Sequence, residues 1–205
     1  MTSYRPLARV FGAIVLTLAL ATAFSARSSA GEKARSAAAF EKLISLVGEW
    51  EGTNTAGHVK ATYTLVSGGT ALMERLQSAN EPEMITLYSL DGDHLMMTHY
   101  CSAGNQPQMK TATITELNGS LTFQMYQVTG LKTADEGHMT GLTLTMPDKD
   151  HFTQQWTYSE KGKSQADVFK FTRKSRGPVV EQSALVAGFS GDCRKNPLAN
   201  KGLFW

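Results

Sequence analysis

The 205-residue sequence carries five histidines, two cysteines and an adjacent Glu74-Arg75 pair, and these are its side chains with the clearest chemical capacity. Neutral imidazole can ligate a metal ion or haem iron, or share a hydrogen bond with a polar group of a ligand. His99 has the strand parity of Leu95 and Met97, and His138 that of Leu142 and Leu144, so both are expected to face an interior. His58 has the parity of Lys60 and is expected in water. A hydrogen-bonded histidine at a strand end is the plainer alternative, and the spacing specifies no metal. Asn105 and Gln106, followed by Pro107, offer amide groups beside His99 for a ligand head, or form an ordinary turn. Tyr63, Tyr88, Tyr126, Phe123, Met97, Met125 and Trp156 could line an apolar wall or pack as solid core. Glu74 and Arg75 are neighbours in one strand, so one of them turns inward and needs a partner, unless the strand lies at an exposed edge.

Standard catalytic motifs are missing. The chain has no His-Glu-x-x-His, no phosphate loop and no Cys-x-x-Cys. Ser190 has Gly188 before it but Asp192 where a nucleophile elbow needs its second glycine. The sequence therefore favours a non-enzyme, assigns no catalytic residue and names no cofactor.

Positioning these side chains falls to a short helix and a long run of strands. Phe40, Leu43, Ile44 and Val47 recur at helical spacing, predicting an amphipathic helix over 36–47. Helical periodicity then stops. Strands are expected near 48–54, 58–66, 71–78, 84–90, 94–101, 108–116, 120–128, 138–146, 151–159 and 164–173. Ser67-Gly68-Gly69, Asp91-Gly92-Asp93, Asn118-Gly119 and Pro147 to Asp150 mark tight turns between them, and Asn-Gly is a strong hairpin signal. No connection is long enough for a parallel crossover, so the sheet should be an antiparallel meander. A meander of about ten strands with one apolar face must close or fold over, and closure removes both edges. An up-and-down β-barrel is the expected fold, with a sandwich as the structural alternative. Its linkers near 54–58, 78–83, 101–107, 129–137 and 159–163 would gather at one end, where binding usually lives on a rigid barrel.

The first thirty residues read as an export signal. Arg5 and Arg9 precede an apolar run from Val10 to Phe24, then small residues ending Ser28-Ser29-Ala30. A retained membrane anchor is the alternative; no cysteine follows the run, which argues against a bacterial-type lipid anchor. Residues 1–30 hold Arg5, Arg9 and Arg27 and no acid, which leaves 17 basic against 18 acidic residues and a net charge of −1 after cleavage. Nucleic-acid binding then has no electrostatic support, and a stable membrane attachment has none either. The expected organisation is a signal peptide over 1–30, one barrel domain over 31–174 and a tail over 175–205, in a periplasmic or secreted protein. In an oxidising compartment Cys101 and Cys193 are either a disulfide or two free thiols. A tail climbing the outside of the barrel could bring Cys193 to Cys101.

Gly48-Glu49-Trp50 after a short helix, leading into such a meander, resembles the calycin superfamily of lipocalin-like barrels. The run Thr98 to Pro107, with Gly137-His138-Met139, Asp150-His151-Phe152 and Trp156-Thr157, is similar to uncharacterised secreted bacterial proteins with a lipocalin-like domain of unknown function. The likeness covers roughly residues 36–173. Eight strands and a large first loop mark true lipocalins, whereas Thr55-Ala56-Gly57 is tiny; ten strands look more like haem-binding nitrobindin-type barrels. The resemblance implies a barrel around a small ligand and no established chemistry. It also implies a basic side chain from the last strand packed on the floor tryptophan, here Arg173 on Trp50, with Lys174 as the alternative. The expected function is an exported barrel holding a small apolar or amphipathic ligand near His99, His138, Asn105, Gln106, Tyr63, Tyr126, Phe123 and Trp156. A haem- or metal-binding barrel using His99 or His138 is the second reading, and a solid-cored structural barrel the third.

Overall fold

The computed structural model describes residues 30–79, 81–114 and 116–176. Helix α1 occupies 30–44. Its Ser36, Ala39, Phe40, Leu43 and Ile44 are buried at spacings of three and four, the stripe a helix turns toward a core. The helix stops at 44 rather than 47, because the amides of Leu46 and Val47 bond back only three residues, to Leu43 (2.9 Å) and Ile44 (3.0 Å). Such tightening marks a last turn. Gly48 then turns the chain into the first strand at φ 129°, a value that a residue with a Cβ rarely adopts.

Ten strands follow. They are β1 (Gly48–Asn54), β2 (Gly57–Val66), β3 (Ala71–Ser78), β4 (Met84–Asp91) and β5 (His94–Tyr100), then β6 (Gln106–Thr111), β7 (Ser120–Thr129), β8 (His138–Thr145), β9 (His151–Glu160) and β10 (Lys163–Arg176). Each pairs antiparallel with its sequence neighbours, and β1 pairs with both β2 and β10, so the sheet is a closed barrel. Closure gives each of these strands a neighbour on both sides, so among the described residues the sheet has no edge strand.

β6 departs from the expectation. It runs from Gln106 to Thr111 rather than over 108–116. Its ladder to β5 covers only Gln108 to Lys110, so Pro107 lies beyond it and its missing N–H costs no bond on that side. After Thr111 the chain leaves the sheet to cover α1, where Arg35 Nε donates to the carbonyl of Ile114 at 2.7 Å. Ser36 Oγ donates to the carbonyl of Gly92 at 2.8 Å. Helix, crossing segment and tight turns together close one barrel end.

That end is solid. Trp50 meets Phe152 edge to face with centroids 4.6 Å apart, Phe152 stacks on Phe171 at 4.6 Å, and Tyr63 adds its edge at 5.8 Å. Trp50 Nε1 donates to the Leu46 carbonyl (2.7 Å), which satisfies its one polar atom inside the plug. Burying several large aromatic side chains here is worth about 1.5–3 kcal/mol apiece. Residues 1–29, with most of the expected export signal, and 177–205, with Cys193, lie outside the described residues.

Candidate ligand-binding site

The opposite end is hollow. A cavity of about 890 Å³ opens between the linkers that follow β1, β3, β5 and β9. Its wall is built by inward-facing positions: Leu76 of β3, Met84 of β4, His99 of β5, Met139 of β8, Trp156 of β9 and Phe169 of β10. Asn54, Thr55, Glu81, Cys101, Tyr158, Glu160 and Asp167 form its rim. The same period-two alternation that fills the lower barrel with aromatic rings supplies this wall.

His99 is the polar group of the wall. It is 1% exposed, and its ring lies 4.7 Å from that of Trp156. Nδ1 is 2.9 Å from the Thr86 hydroxyl, whereas the buried Nε2 has no hydrogen-bond partner. An orphaned buried nitrogen costs about 1–3 kcal/mol unless a further group meets it. Burial pulls the His99 pKa down from 6.5 to about 4, so at neutral pH the ring is uncharged. Uncharged imidazole is the form that accepts a hydrogen bond or ligates a metal.

Beneath the cavity lies a carboxylate with no cation beside it. Glu74 is 0% exposed; Tyr88 donates to its Oε2 at 2.7 Å, and Gln154 Nε2 donates to its Oε1. The same amide reaches the Tyr63 hydroxyl at 2.8 Å, and Trp156 Nε1 donates to Gln154 Oε1 at 3.0 Å. Loss of water pushes the Glu74 pKa up, and the donors from Tyr88, Gln154 and Tyr63 oppose that shift. Arg75, the next residue, points outward to Glu83 at 2.6 Å. The floor of the cavity is thus tied to the barrel core through Trp156 and Gln154.

The rim is acidic. Glu81, Glu160 and Asp167 line it, and among the described residues no lysine or arginine does. Among the described residues Asp167 accepts only from neutral donors: Asn54 Nδ2 and Thr55 Oγ1, each at 2.9 Å, and the Thr55 amide at 3.4 Å.

Of the side chains expected to meet a ligand, His99 and Trp156 line the cavity. Tyr63 and Phe123 are fully buried below it, Phe123 edge to face with Tyr88 at 5.8 Å. His138 is a correction. A bulge between Met139 and Gly141 inserts Thr140 and reverses the parity, so Met139 faces the cavity and His138 turns away, Nδ1 on the Glu136 carbonyl at 2.7 Å. Tyr126 is another: it follows inward Met125 at a second bulge, stands 45% exposed and donates to Gln108 Oε1 at 2.9 Å. Asn105 is buried but ties its loop to the Gly137 carbonyl at 2.9 Å, and Gln106 bonds the Gly104 carbonyl at 3.1 Å; neither lines the cavity. Cys101 sits on the rim as a free thiol among the described residues, and its suggested partner Cys193 lies outside them.

At the floor, Arg173 lies over the Trp50 ring at 4.0 Å, while Lys174 reaches outward to Glu51 at 2.6 Å. Sequence reasoning missed Gln154, which has the parity of Phe152 and Trp156, and the acidic rim. A glutamine flanked by inward aromatics was the available signal. Among the described residues no group of three or more His, Cys, Asp or Glu side chains is placed to hold a metal ion.

No protein-family model and no curated protein matches the chain. Among solved structures it is similar to a protein of unknown function of the DUF3598 family from Nostoc punctiforme, with 11% identity and a TM-score of 0.38. The match covers 64% of this chain and 48% of that one, so the chain spans about half the length of that protein.

Proposed function

We propose that this chain is an exported, non-catalytic carrier of the calycin kind, holding one small apolar or amphipathic molecule above Trp156. The observation that carries the reading is the cavity of about 890 Å³ whose apolar wall contains one buried, unpartnered nitrogen, His99 Nε2. Ligand sites have this form: about 300–1,000 Å³, mostly apolar, with a few polar groups that fix orientation. Cys101 and Ser102 line the cavity with His99, but among the described residues His99 bonds only Thr86 and activates neither of them, so binding accounts for the site better than turnover does. Titration with the neutral probe N-phenyl-1-naphthylamine tests the reading. Saturable uptake of one probe per chain with quenching of Trp156, the quenching lost in Trp156→Leu, is the expected result. A folded protein that takes up no probe refutes it.

A second reading is favoured by the geometry of His99 itself. Nδ1 is held by Thr86 and Nε2 is left without a partner among the described residues, which is what a histidine that holds an iron requires. His99 would hold the iron, and the group would supply redox or gas-binding chemistry. The acidic rim weighs against it, because the haem propionates would meet Glu81, Glu160 and Asp167. A Soret band that shifts on haem addition and is lost in His99→Leu would establish this reading over the first.

A further inference from the structure

The walls of the cavity and its rim make opposite demands on a guest. Inside are Leu76, Met84, Trp156 and Phe169, with a neutral histidine. At the mouth are three carboxylates. Glu81 and Glu160 have no side-chain partner among the described residues, and Asp167 is held by neutral groups alone. The nearby cations do not offset them. Arg75 is spent on Glu83 at 2.6 Å on the outer surface. Lys163 lies opposite Glu160 across the β9–β10 hairpin, yet it forms no ion pair with it, is exposed and does not line the cavity. A guest with a carboxylate or phosphate head would place like charge against all three acids, and a guest with an ammonium head would neutralise them.

We propose, resting on the carrier reading above, that the cavity takes a cationic amphiphile, its ammonium among Glu81, Glu160 and Asp167 and its apolar body on Trp156 and Phe169. His99, buried and lining the same cavity, carries an Nε2 that no described residue satisfies, and this is the polar group that the inner end of the space would offer a guest. Because His99 is uncharged at neutral pH, it adds no cation to attract an anionic head inward. Selectivity for charge then lives at the mouth and selectivity for shape in the wall.

The test uses three probes of one chain length, dodecylamine, dodecanol and dodecanoate, below their micelle concentrations, each displacing N-phenyl-1-naphthylamine. The amine is expected to bind about tenfold or more tighter than the carboxylate at low salt, with the alcohol between, and the gap should shrink as ionic strength rises. Glu81→Gln with Glu160→Gln should narrow the amine-to-alcohol ratio severalfold. A carboxylate that binds as well as the amine, or a ratio that ignores both salt and the double variant, overturns the charge assignment while leaving a carrier. Failure of all three probes overturns the charge assignment and the carrier reading together.

Discussion

The guanidinium carbon of Arg173 lies 4.0 Å from the centroid of the Trp50 ring, and the two residues face each other across the seam that joins the last strand to the first. Its three nitrogens are each given to a backbone carbonyl: Nε to Lys149 (2.8 Å), Nη1 to Val47 (3.2 Å) and Nη2 to Ser45 (2.9 Å). One side chain thus joins helix end, β8–β9 turn and seam. Its side chain is only 7% exposed. Arg173→Lys keeps the charge but cannot fill all three acceptors or lie flat on the indole. Urea unfolding should show a loss of about 2–3 kcal/mol, with Arg173→Met at least as damaging.

His99 makes stability depend on pH in a stated direction. Its folded pKa, about 4, lies below the unfolded value of 6.5, so the unfolded chain binds the extra proton between these limits. The contribution is complete above about pH 6.5 and is lost as pH falls toward 4, by an amount of order 3 kcal/mol. Glu74 acts in the opposite sense, because its folded pKa is raised and stability falls as pH rises through its window. Both proteins in a comparison of the parent with His99→Leu contain Glu74, so the difference isolates the histidine. The leucine variant should lose less stability than the parent between pH 7 and pH 4.5, read from urea midpoints.

Removing one donor from the buried carboxylate should raise its cost. In Tyr88→Phe the 2.7 Å bond to Glu74 Oε2 disappears, leaving the ionised form with fewer donors in a fully buried site. Stability at pH 7 should fall by about 1–3 kcal/mol, and by less near pH 4.5, where the carboxyl is closer to neutral in both folded and unfolded chains. Chemical unfolding at the two pH values distinguishes this from simple loss of packing, which would be equal at both.

Gly137 sets the position of a rim residue. A Cβ there would sit 1.6 Å from the Tyr158 hydroxyl, so Gly137→Ala must displace that ring at the mouth. The cost in fold stability should be about 1 kcal/mol, because the displaced atoms are the far end of one side chain. Release of a bound probe should change severalfold, and stopped-flow dilution measures it.

The residues that turn away from the cavity should be nearly silent. Tyr126→Ala and His138→Ala should each leave probe affinity unaltered and change stability by no more than about 0.5–1 kcal/mol, seen by the same displacement and urea assays. Loss of binding in either would contradict the placement of the cavity wall.

The barrel itself was legible because its turn residues and its alternation agree. Asn118-Gly119 and Gly92-Asp93 fall between strands, with Asp91 ending β4, and β1 and β3 begin and end at the expected residues. The contact of Arg173 with Trp50 was the one that the calycin resemblance implied, and closure of the sheet brings the two residues opposite each other. Glu74 and Arg75 could be read as one inward and one outward, though not in which order. What parity could not give were the bulges. An inserted Thr140 reverses everything before it on β8, and it exchanged His138 for Met139 at the cavity. Counting by twos from Leu144 has no means of detecting one extra residue. Loop residues were the least legible: Asn105 is spent on Gly137, and the rim acids come from the β3–β4 linker (Glu81), the end of β9 (Glu160) and β10 (Asp167), brought to one mouth by closure.

Among the described residues α1 and the segment after β6 plug one end of the barrel, and the cavity opens at the other. In the carrier proposed above, a molecule inside and one waiting outside would share that opening, so replacement would proceed in succession, departure before arrival. An excess of competitor would then lower occupancy without hastening release, and the lifetime of the complex would be a property of the occupant alone.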